Sequence, residues 1–188
     1  GDNHFRNDFF KELKHLSIAN DFLLIYDEVQ TGIGITGKMW AHEHFRNCKP
    51  DIISFGKKTQ VCGILVSDRI NEVENNVFRK SSRINSTFGG NLVDMVRFKI
   101  ILETIQDFNL LDNVKLNGDY LLSQITELEK EFPAFITNSR GLGLFCAFDL
   151  PSATERNKLV QEMYKNNLMI LGCGIKSIRF RPHLTVSK

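Results

Sequence analysis

Three short apolar runs without alternation stand in the first third of the chain. They cover residues 22–26, 51–55 and 63–66. Strands that are buried on both faces have this pattern, which is typical of mainly parallel sheets in α/β proteins. The first run ends in Asp27-Glu28, and the second continues into Gly56-Lys57-Lys58. Polar residues directly after apolar strands indicate the edge of an open sheet at which ligands bind.

Apolar residues at helical spacing predict four helices between and after these strands. The first begins near residue 9, with Asp8 as its N-cap. The others cover residues 92–108, 112–132 and 154–166. Short strands are predicted at 135–137, 144–148, 169–171 and 178–180, so the last part resembles a smaller α+β unit. We therefore expect a division into residues 1–107, a large domain that ends in a long linking helix, and residues 108–188.

Composition narrows the class of protein. Of the 188 residues, 42% are hydrophobic and 24% are charged, with a formal net charge of +2. This near balance argues against a nucleic-acid binder that relies on bulk positive charge. No apolar run approaches the roughly 18 residues of a membrane-spanning helix, and residues 1–4 carry no signal-peptide pattern. The four cysteines form no C-x-x-C pair, so we expect neither a zinc site nor a disulfide framework.

Two polar sites follow buried strands and could carry chemistry. The carboxylate of Asp27 would be partly desolvated and would require a cationic partner; a solvated acid in a turn is an equally good interpretation. A lysine at the mouth of an apolar sheet, Lys57 or Lys58, can serve as a nucleophilic amine. Taken alone, lysines that extend into water are the commoner outcome.

Two further segments have simple alternatives. Residues 85–91, N-S-T-F-G-G-N, precede a predicted helix and could bind an anion, although an ordinary capping turn is favoured. Arg179 and Arg181 alternate with Phe180 on a strand, where an arginine can bind a carboxylate or can protect an exposed sheet edge. Residues 32–37 match the bare pattern G-x-G-x-x-G, but no suitable helix follows, and we interpret them as a loop.

Four blocks in this order carry a resemblance that runs through nearly the whole chain. They are D-E-V-Q-T-G-x-G-x-T-G-K-x-W-A-H-E-H, P-D-I-I-S-F-G-K-K, N-S-T-F-G-G-N and S-I-R-F-R-P. The chain resembles the class III aminotransferases, which use pyridoxal 5'-phosphate (PLP) and have the fold-type I architecture. Within that family the segments around residues 56–64, 83–97 and 171–182 are most similar to the L-lysine 6-transaminases. The 4-aminobutyrate transaminases share several of the same blocks.

The resemblance implies roles for the residues of the first two blocks. Asp27 would pair with the pyridinium nitrogen of PLP, and an ionised carboxylate there keeps the ring protonated as an electron sink. Gln30 would approach the phenolic oxygen or the ring. Lys57 would form the Schiff base with the cofactor and then move the proton between substrate and cofactor. Lys58 is the neighbouring candidate, and only the motif separates the two lysines.

The other two blocks imply contacts with phosphate and substrate. Thr87, with Ser86, would bind the cofactor phosphate across the interface of a homodimer. Arg179 and Asn85 would lie in the substrate pocket. The implied reaction moves the terminal amino group of L-lysine to 2-oxoglutarate and gives 2-aminoadipate 6-semialdehyde and L-glutamate. The implied setting is a cytoplasmic homodimer with small-molecule substrates.

Members of this family are considerably longer than 188 residues, so part of the cofactor cradle would lie outside this chain. One further hypothesis follows. The chain as it stands would be an inactive fragment whose only competence is association, because half of a large domain exposes sheet edges and apolar surface.

Overall fold

The computed structural model describes residues 2–84 and 86–188. The chain divides into two compact units. The amino-terminal unit comprises Phe5–Ile33 and Trp40–Phe108, and the carboxyl-terminal unit comprises Gly1–His4, Gly34–Met39 and Asn109–Lys188. The predicted domain division at residues 107 and 108 stays a prediction. No described helix is both long enough and apolar enough to cross a membrane.

The amino-terminal unit contains a three-stranded sheet in the order β1-β2-β3. Strand β1 (Ile25–Asp27) pairs in parallel with β2 (Ile52–Phe55), so Asp27 lies opposite Ser54. Strand β3 (Gly63–Val66) pairs with β2 in the antiparallel direction. The expectation of a mainly parallel sheet is therefore met for the first pair and wrong for β3. Burial of β1 on both faces is also wrong in this chain, because Ile25 is 59% exposed.

Strand β3 reverses because the connection from β2 is a tight turn. A short 3₁₀ helix covers Lys57–Thr59, and both Lys57 and Gln60 adopt left-handed backbone conformations, with φ of 54° and 56°. Two left-handed residues this close together reverse the chain direction, so β3 lies beside β2 and runs antiparallel to it. A parallel connection requires a crossover of about a dozen residues, which this segment does not provide.

Two helices flank this sheet. Helix α1 (Asn7–Ala19) begins after Arg6, whose side chain makes no cap bond, and Asp8 lies within the first turn. The prediction of Asp8 as the N-cap is therefore wrong. Helix α2 (Leu92–Asp107) confirms the predicted helix, with the side chain of Asn91 accepting the N–H of Val93. It packs on the sheet where the rings of Phe55 and Phe98 stack, 5.5 Å between centroids.

The carboxyl-terminal unit combines an antiparallel sheet with two helices. The strands are β4 (Thr137–Leu142), β5 (Phe145–Asp149), β6 (Leu171–Cys173) and β7 (Ser177–Phe180), in the order β4-β5-β7-β6. The helices are α3 (Leu110–Glu131) and α4 (Ala153–Lys165). Each element lies within about two residues of its predicted range, except that β4 begins two residues later and ends five residues later than predicted.

Two apolar clusters and one close backbone approach stabilise this unit among the described residues. The larger cluster includes Ile125 of α3, Phe148 of β5 and Ile178 of β7, all buried. A Cβ atom at Gly118 of α3 would stand 2.3 Å from the carbonyl carbon of Gly143, so any side chain there would separate the helix from the β4–β5 turn. Because β7 lies between β5 and β6, Arg179 is not on an edge strand, and the edge-protection interpretation is wrong.

Candidate active site

The carboxyl ends of β1 and β2 place an acid and a hydroxyl side by side. Asp27 is the last residue of β1 and is exposed. Its Oδ1 accepts the hydroxyl of Ser54 at 3.0 Å and the backbone N–H of Val29 at 3.0 Å. Both bonds end on the same oxygen, and Oδ2 accepts no hydrogen bond from the described residues. The strand end therefore presents a carboxylate of fixed orientation with acceptor capacity to spare.

Lys57 stands two residues beyond the end of the neighbouring strand. Its Nζ donates to the side-chain Oε1 of Gln30 at 2.9 Å, and the residue is exposed. The left-handed backbone of Lys57 costs about 1–2 kcal/mol for a residue with a side chain. Strain of this kind is concentrated at functional sites, where the surrounding structure imposes it. Local geometry therefore distinguishes Lys57 from an ordinary surface lysine.

Lys58 differs from Lys57 in its partner and its burial. It is half-buried, and its Nζ donates to the main-chain oxygen of Gln30 at 2.7 Å. Gln30 thus joins the two lysines, through its side chain to one and through its backbone to the other. This arrangement supports Lys58 in a role that fixes the loop and Lys57 as the more accessible amine.

Sequence reasoning missed two residues that build this end of the sheet. Ser54 orients Asp27, and the parallel register of β1 and β2 is the signal that would have identified it. Glu28 is 3% exposed, and its carboxylate accepts the backbone N–H groups of Ala41 at 2.5 Å and His42 at 2.9 Å. Nδ1 of His42 lies 2.8 Å from the same carboxylate. No local spacing pattern predicts contacts across 13 or 14 residues.

The opposite end of the sheet is built around Asp51, whose side chain is 3% exposed. Its carboxylate accepts the N–H of Leu24 at 2.9 Å, Nζ of Lys14 at 3.0 Å and Nη1 of Arg69 at 3.1 Å. Burial raises the pKa of Asp51, but these donors outweigh burial and hold the pKa below its ordinary value. The site is saturated and structural.

The predicted phosphate-binding block is separate from this cluster within the chain. Ser86 and Thr87 are exposed, and the N–H of Gly89 donates to the carbonyl of Ser86 in a turn. In the part of the chain that the structure describes, no hydrogen bond joins them to Asp27, Gln30 or Lys57. Asn85 lies outside the described residues. The roles of all three stay predictions.

Arg179 belongs to the carboxyl-terminal unit. It is half-buried on β7, and its Nε is buried with no hydrogen-bond partner among the described residues. It lines a cleft of about 440 Å³ between α3, β7 and the last residues, whose other walls are mainly apolar. Arg181 is engaged instead, with its guanidinium paired to Asp2 and stacked 3.4 Å from the centroid of the Phe145 ring. Nε and Nη1 of Arg181 are also buried without a partner, so the two arginines differ in that Arg181 has an ion pair and Arg179 has none among the described residues.

The arrangement at the carboxyl end can hold a flat cationic ring next to a reactive amine. Asp27 supplies an oriented carboxylate, Lys57 supplies the amine, and Gln30 supplies the amide that accepts from that amine. The described residues contain no group of three or more His, Cys, Asp or Glu side chains that could hold a metal ion. The chemistry offered is that of an amine and a carboxylate.

The whole chain, residues 1–188, matches the family model described as "Aminotransferase class-III". It is 47% identical to the L-lysine-epsilon aminotransferase of Mycobacterium tuberculosis, over all of this chain and 41% of that protein. It is 38% identical to the mitochondrial 4-aminobutyrate aminotransferase of Rattus norvegicus, over 98% of this chain and 36% of that protein. A solved lysine aminotransferase from M. tuberculosis superposes with a TM-score of 0.95 at 47% identity, over all of this chain and 43% of that one. The chain thus spans about two fifths of the length of these relatives.

Proposed function

The chain belongs to the class III aminotransferases, and on that premise we propose that it carries the cofactor-attachment part of a PLP-dependent transaminase that acts on L-lysine. The observation that carries the proposal is the juxtaposition of a fixed carboxylate on β1 with an exposed, strained lysine after β2. The fold-type I architecture predicted from the sequence is confirmed by the superposition on the solved lysine aminotransferase.

The donor set fits PLP. A pyridinium nitrogen requires an ionised carboxylate, and Asp27 is exposed, oriented by Ser54 and Val29, and open at Oδ2. The aldehyde carbon requires a primary amine, and Nζ of Lys57 is exposed at the same end of the sheet. When bound, the cofactor supplies an electron sink for the carbanion that forms on the substrate.

The residues of this chain would divide the remaining work. Asp27 would keep the bound ring protonated by charge and hydrogen bonding. Gln30 would hold Nζ of Lys57 until the cofactor binds and would then approach its phenolic oxygen or ring. The released amine of Lys57 would then act as the general base and acid that moves a proton on and off the substrate carbon. Ser86 and Thr87 would bind the phosphate, and Asn85 would contact the substrate.

Arg179 supports an amino acid or a keto acid as the substrate. Its Nε is buried without a hydrogen bond, and its fork of donors matches a carboxylate. The identity of 47% with the lysine enzyme, against 38% with the 4-aminobutyrate enzyme, favours L-lysine with 2-oxoglutarate as acceptor. Transfer of the amino group of 4-aminobutyrate or another ω-amino acid is the second candidate, and the similarity to the rat enzyme supports it.

Association with a second copy of the chain is part of the proposal. Helix α2 leaves several large apolar side chains in solvent, among them Leu92 at 81% and Val93 at 64% exposure. Phe88, just before the helix, is 79% exposed. Contiguous apolar surface of this kind marks interaction sites. We propose a homodimer of the cytoplasm in which α2 contributes to the interface.

The test is product identity. The purified protein is supplied with PLP, 2-oxoglutarate and either L-lysine or 4-aminobutyrate, and L-glutamate and the semialdehyde are quantified. Glutamate together with a cyclising semialdehyde from L-lysine supports the proposal. Turnover of 4-aminobutyrate alone would transfer the assignment to the second candidate. Absence of both cofactor attachment and turnover would support the hypothesis of an inactive fragment.

A further inference from the structure

The main chain of Glu28 connects strand β2 with the loop that carries Gln30. Its N–H continues the sheet by donating to the carbonyl of Ser54 at 2.9 Å. Its own carbonyl accepts the N–H of Gly32 at 2.8 Å and closes a turn over residues 29–31. One residue thus fixes the loop to β2 at one side and closes it at the other.

The side chain of Glu28 fixes the far end of the same loop. Its carboxylate, 4% exposed, accepts the backbone N–H groups that open the short 3₁₀ helix Ala41–His44. Nδ1 of His42 is the third donor, and that side chain is 10% exposed. Because the carboxylate is buried and its donors are half-buried, removal of its charge leaves those donors with weaker partners. Glu28 therefore holds together residues 29–32 and residues 41–42, which all belong to the amino-terminal unit.

Gln30 lies in the loop that Glu28 fixes, and it contacts both lysines. Its Oε1 accepts Nζ of Lys57, and its main-chain oxygen accepts Nζ of Lys58. We propose that Glu28 is a positioning residue, which holds Gln30 where its amide restrains the amine of Lys57. The inference rests on the proposed role of Lys57 as the cofactor-binding amine. Glu28 itself contacts neither lysine through its carboxylate in the part of the structure described.

The experiment measures the chemical reactivity of Lys57 directly. The chain is acetylated competitively without cofactor, and the rate at Lys57 is measured by mass spectrometry relative to Lys130, an exposed lysine on α3. Glu28→Gln keeps the shape and removes the charge. An amine released from its acceptor reacts faster, so we expect the Lys57 rate to rise by about three- to tenfold, the scale of one hydrogen bond. Gln30→Ala should reproduce that rise, and the double variant should add nothing.

Asp51→Asn is the matched control, because it also removes a buried carboxylate charge with three donors but at the other end of the sheet. It should lower the melting temperature and leave the Lys57 rate within about twofold of the wild type. If Glu28→Gln behaves the same way, with a lower melting temperature and an unchanged Lys57 rate, Glu28 is structural only and the proposal is wrong. An additive double variant would also overturn it, since the two residues would then act separately.

His42→Phe keeps the test decisive if Glu28→Gln fails to fold. It removes one of the three donors and retains a ring beside Tyr26. The expected result is a rise of about twofold at Lys57, and no rise would count against the proposal. Because acetylation requires no cofactor, the outcome is separate from the proposed function. If Lys57 takes up no PLP while Glu28→Gln still alters its reactivity, the proposed function fails and the positioning role stands.

Discussion

The two ends of the three-stranded sheet each carry an aspartate, and the two carboxylates differ in burial and in their side-chain partners. At the amino end, Asp51 is buried and accepts one backbone and two cationic donors. At the carboxyl end, Asp27 is exposed and accepts a hydroxyl and a backbone N–H on one oxygen. All the contacts of the Asp51 carboxylate stabilise the fold. The Asp27 carboxylate is held in one orientation and can still bind a ligand.

The same contrast extends to the neighbouring lysines. Lys14 at the amino end pairs with Asp51 at 3.0 Å. Lys57 at the carboxyl end has an unfavourable backbone conformation, and its Nζ donates to the neutral side-chain amide of Gln30. A group that stabilises the fold is saturated with partners, whereas a group that serves a ligand is held in place with capacity unused. We therefore expect substitutions at the carboxyl end to change activity and substitutions at the amino end to change stability.

Asp27→Asn should give the largest effect, and on function alone. The amide keeps the bonds to Ser54 and Val29 but removes the charge that a pyridinium ring requires. We expect transaminase activity to fall by about 10²- to 10³-fold, the scale of removing one well-placed electrostatic contact. The free energy of unfolding should change by less than about 0.5 kcal/mol, because the residue is exposed. Steady-state kinetics and urea denaturation measure the two quantities, and a large loss of stability would refute the contrast.

Asp51→Asn should lower the free energy of unfolding and leave the cofactor site unchanged. Loss of the charge leaves Lys14 and Arg69 without their shared partner, and breaking a buried ion pair costs about 3 kcal/mol. Urea denaturation should register this loss. The absorbance of PLP bound to the folded variant should match the wild type at a temperature below the transition. An altered cofactor spectrum would show that the amino end also serves the site.

The pH dependence of the unfolding free energy should show that the ionised carboxylate of Asp51 stabilises the fold. Its pKa in the folded chain lies below the ordinary value, so its contribution to stability is present above the unfolded pKa of about 4 and is lost as pH falls through the folded pKa. The difference in unfolding free energy between the wild type and Asp51→Asn should therefore be constant from pH 7 to about pH 5 and shrink below about pH 4. A difference that is unchanged at pH 3 would exclude this ionisation as its cause.

Lys57→Gly should give the smallest effect, and in the stabilising direction. Glycine adopts a φ of 54° without the strain that a side chain imposes. We expect the melting temperature to rise by about 2 °C, the equivalent of roughly 0.5–1 kcal/mol in a chain of this size. Lys57→Ala is the matched control, since alanine loses the amine but retains the strain. Equal shifts in both variants would mean that the backbone of Lys57 is not strained.

Sequence patterns predicted the helices because their apolar residues recur at helical spacing over several turns. They predicted most of the strands because short apolar runs mark them. Helix α3 was predicted to within two residues, although its buried positions include Leu110, before the predicted start, as well as Val114 and Ile125. The antiparallel course of β3 was not predictable, because it depends on left-handed backbone at Lys57 and Gln60, neither of which is a glycine.

The candidate site divides in the same way. Asp27 and the pair Lys57-Lys58 follow apolar runs, so their positions made them candidates, and only the resemblance selected Lys57. Their roles stay predictions. Glu28 could not be identified from the sequence, because its partners Ala41 and His42 lie beyond an irregular loop. Ser54 lies within an apolar strand, where only the pairing register connects it with Asp27.

The central claim is that Lys57 is the amine that takes up the cofactor, and trapping tests it most directly. The chain is incubated with PLP, reduced with borohydride and mapped by peptide mass spectrometry, beside Lys57→Ala and Lys58→Ala. The account predicts a visible absorbance band and a phosphopyridoxyl group on Lys57, lost in Lys57→Ala and retained in Lys58→Ala. A phosphopyridoxyl group on Lys58, or one that survives in Lys57→Ala, would contradict it.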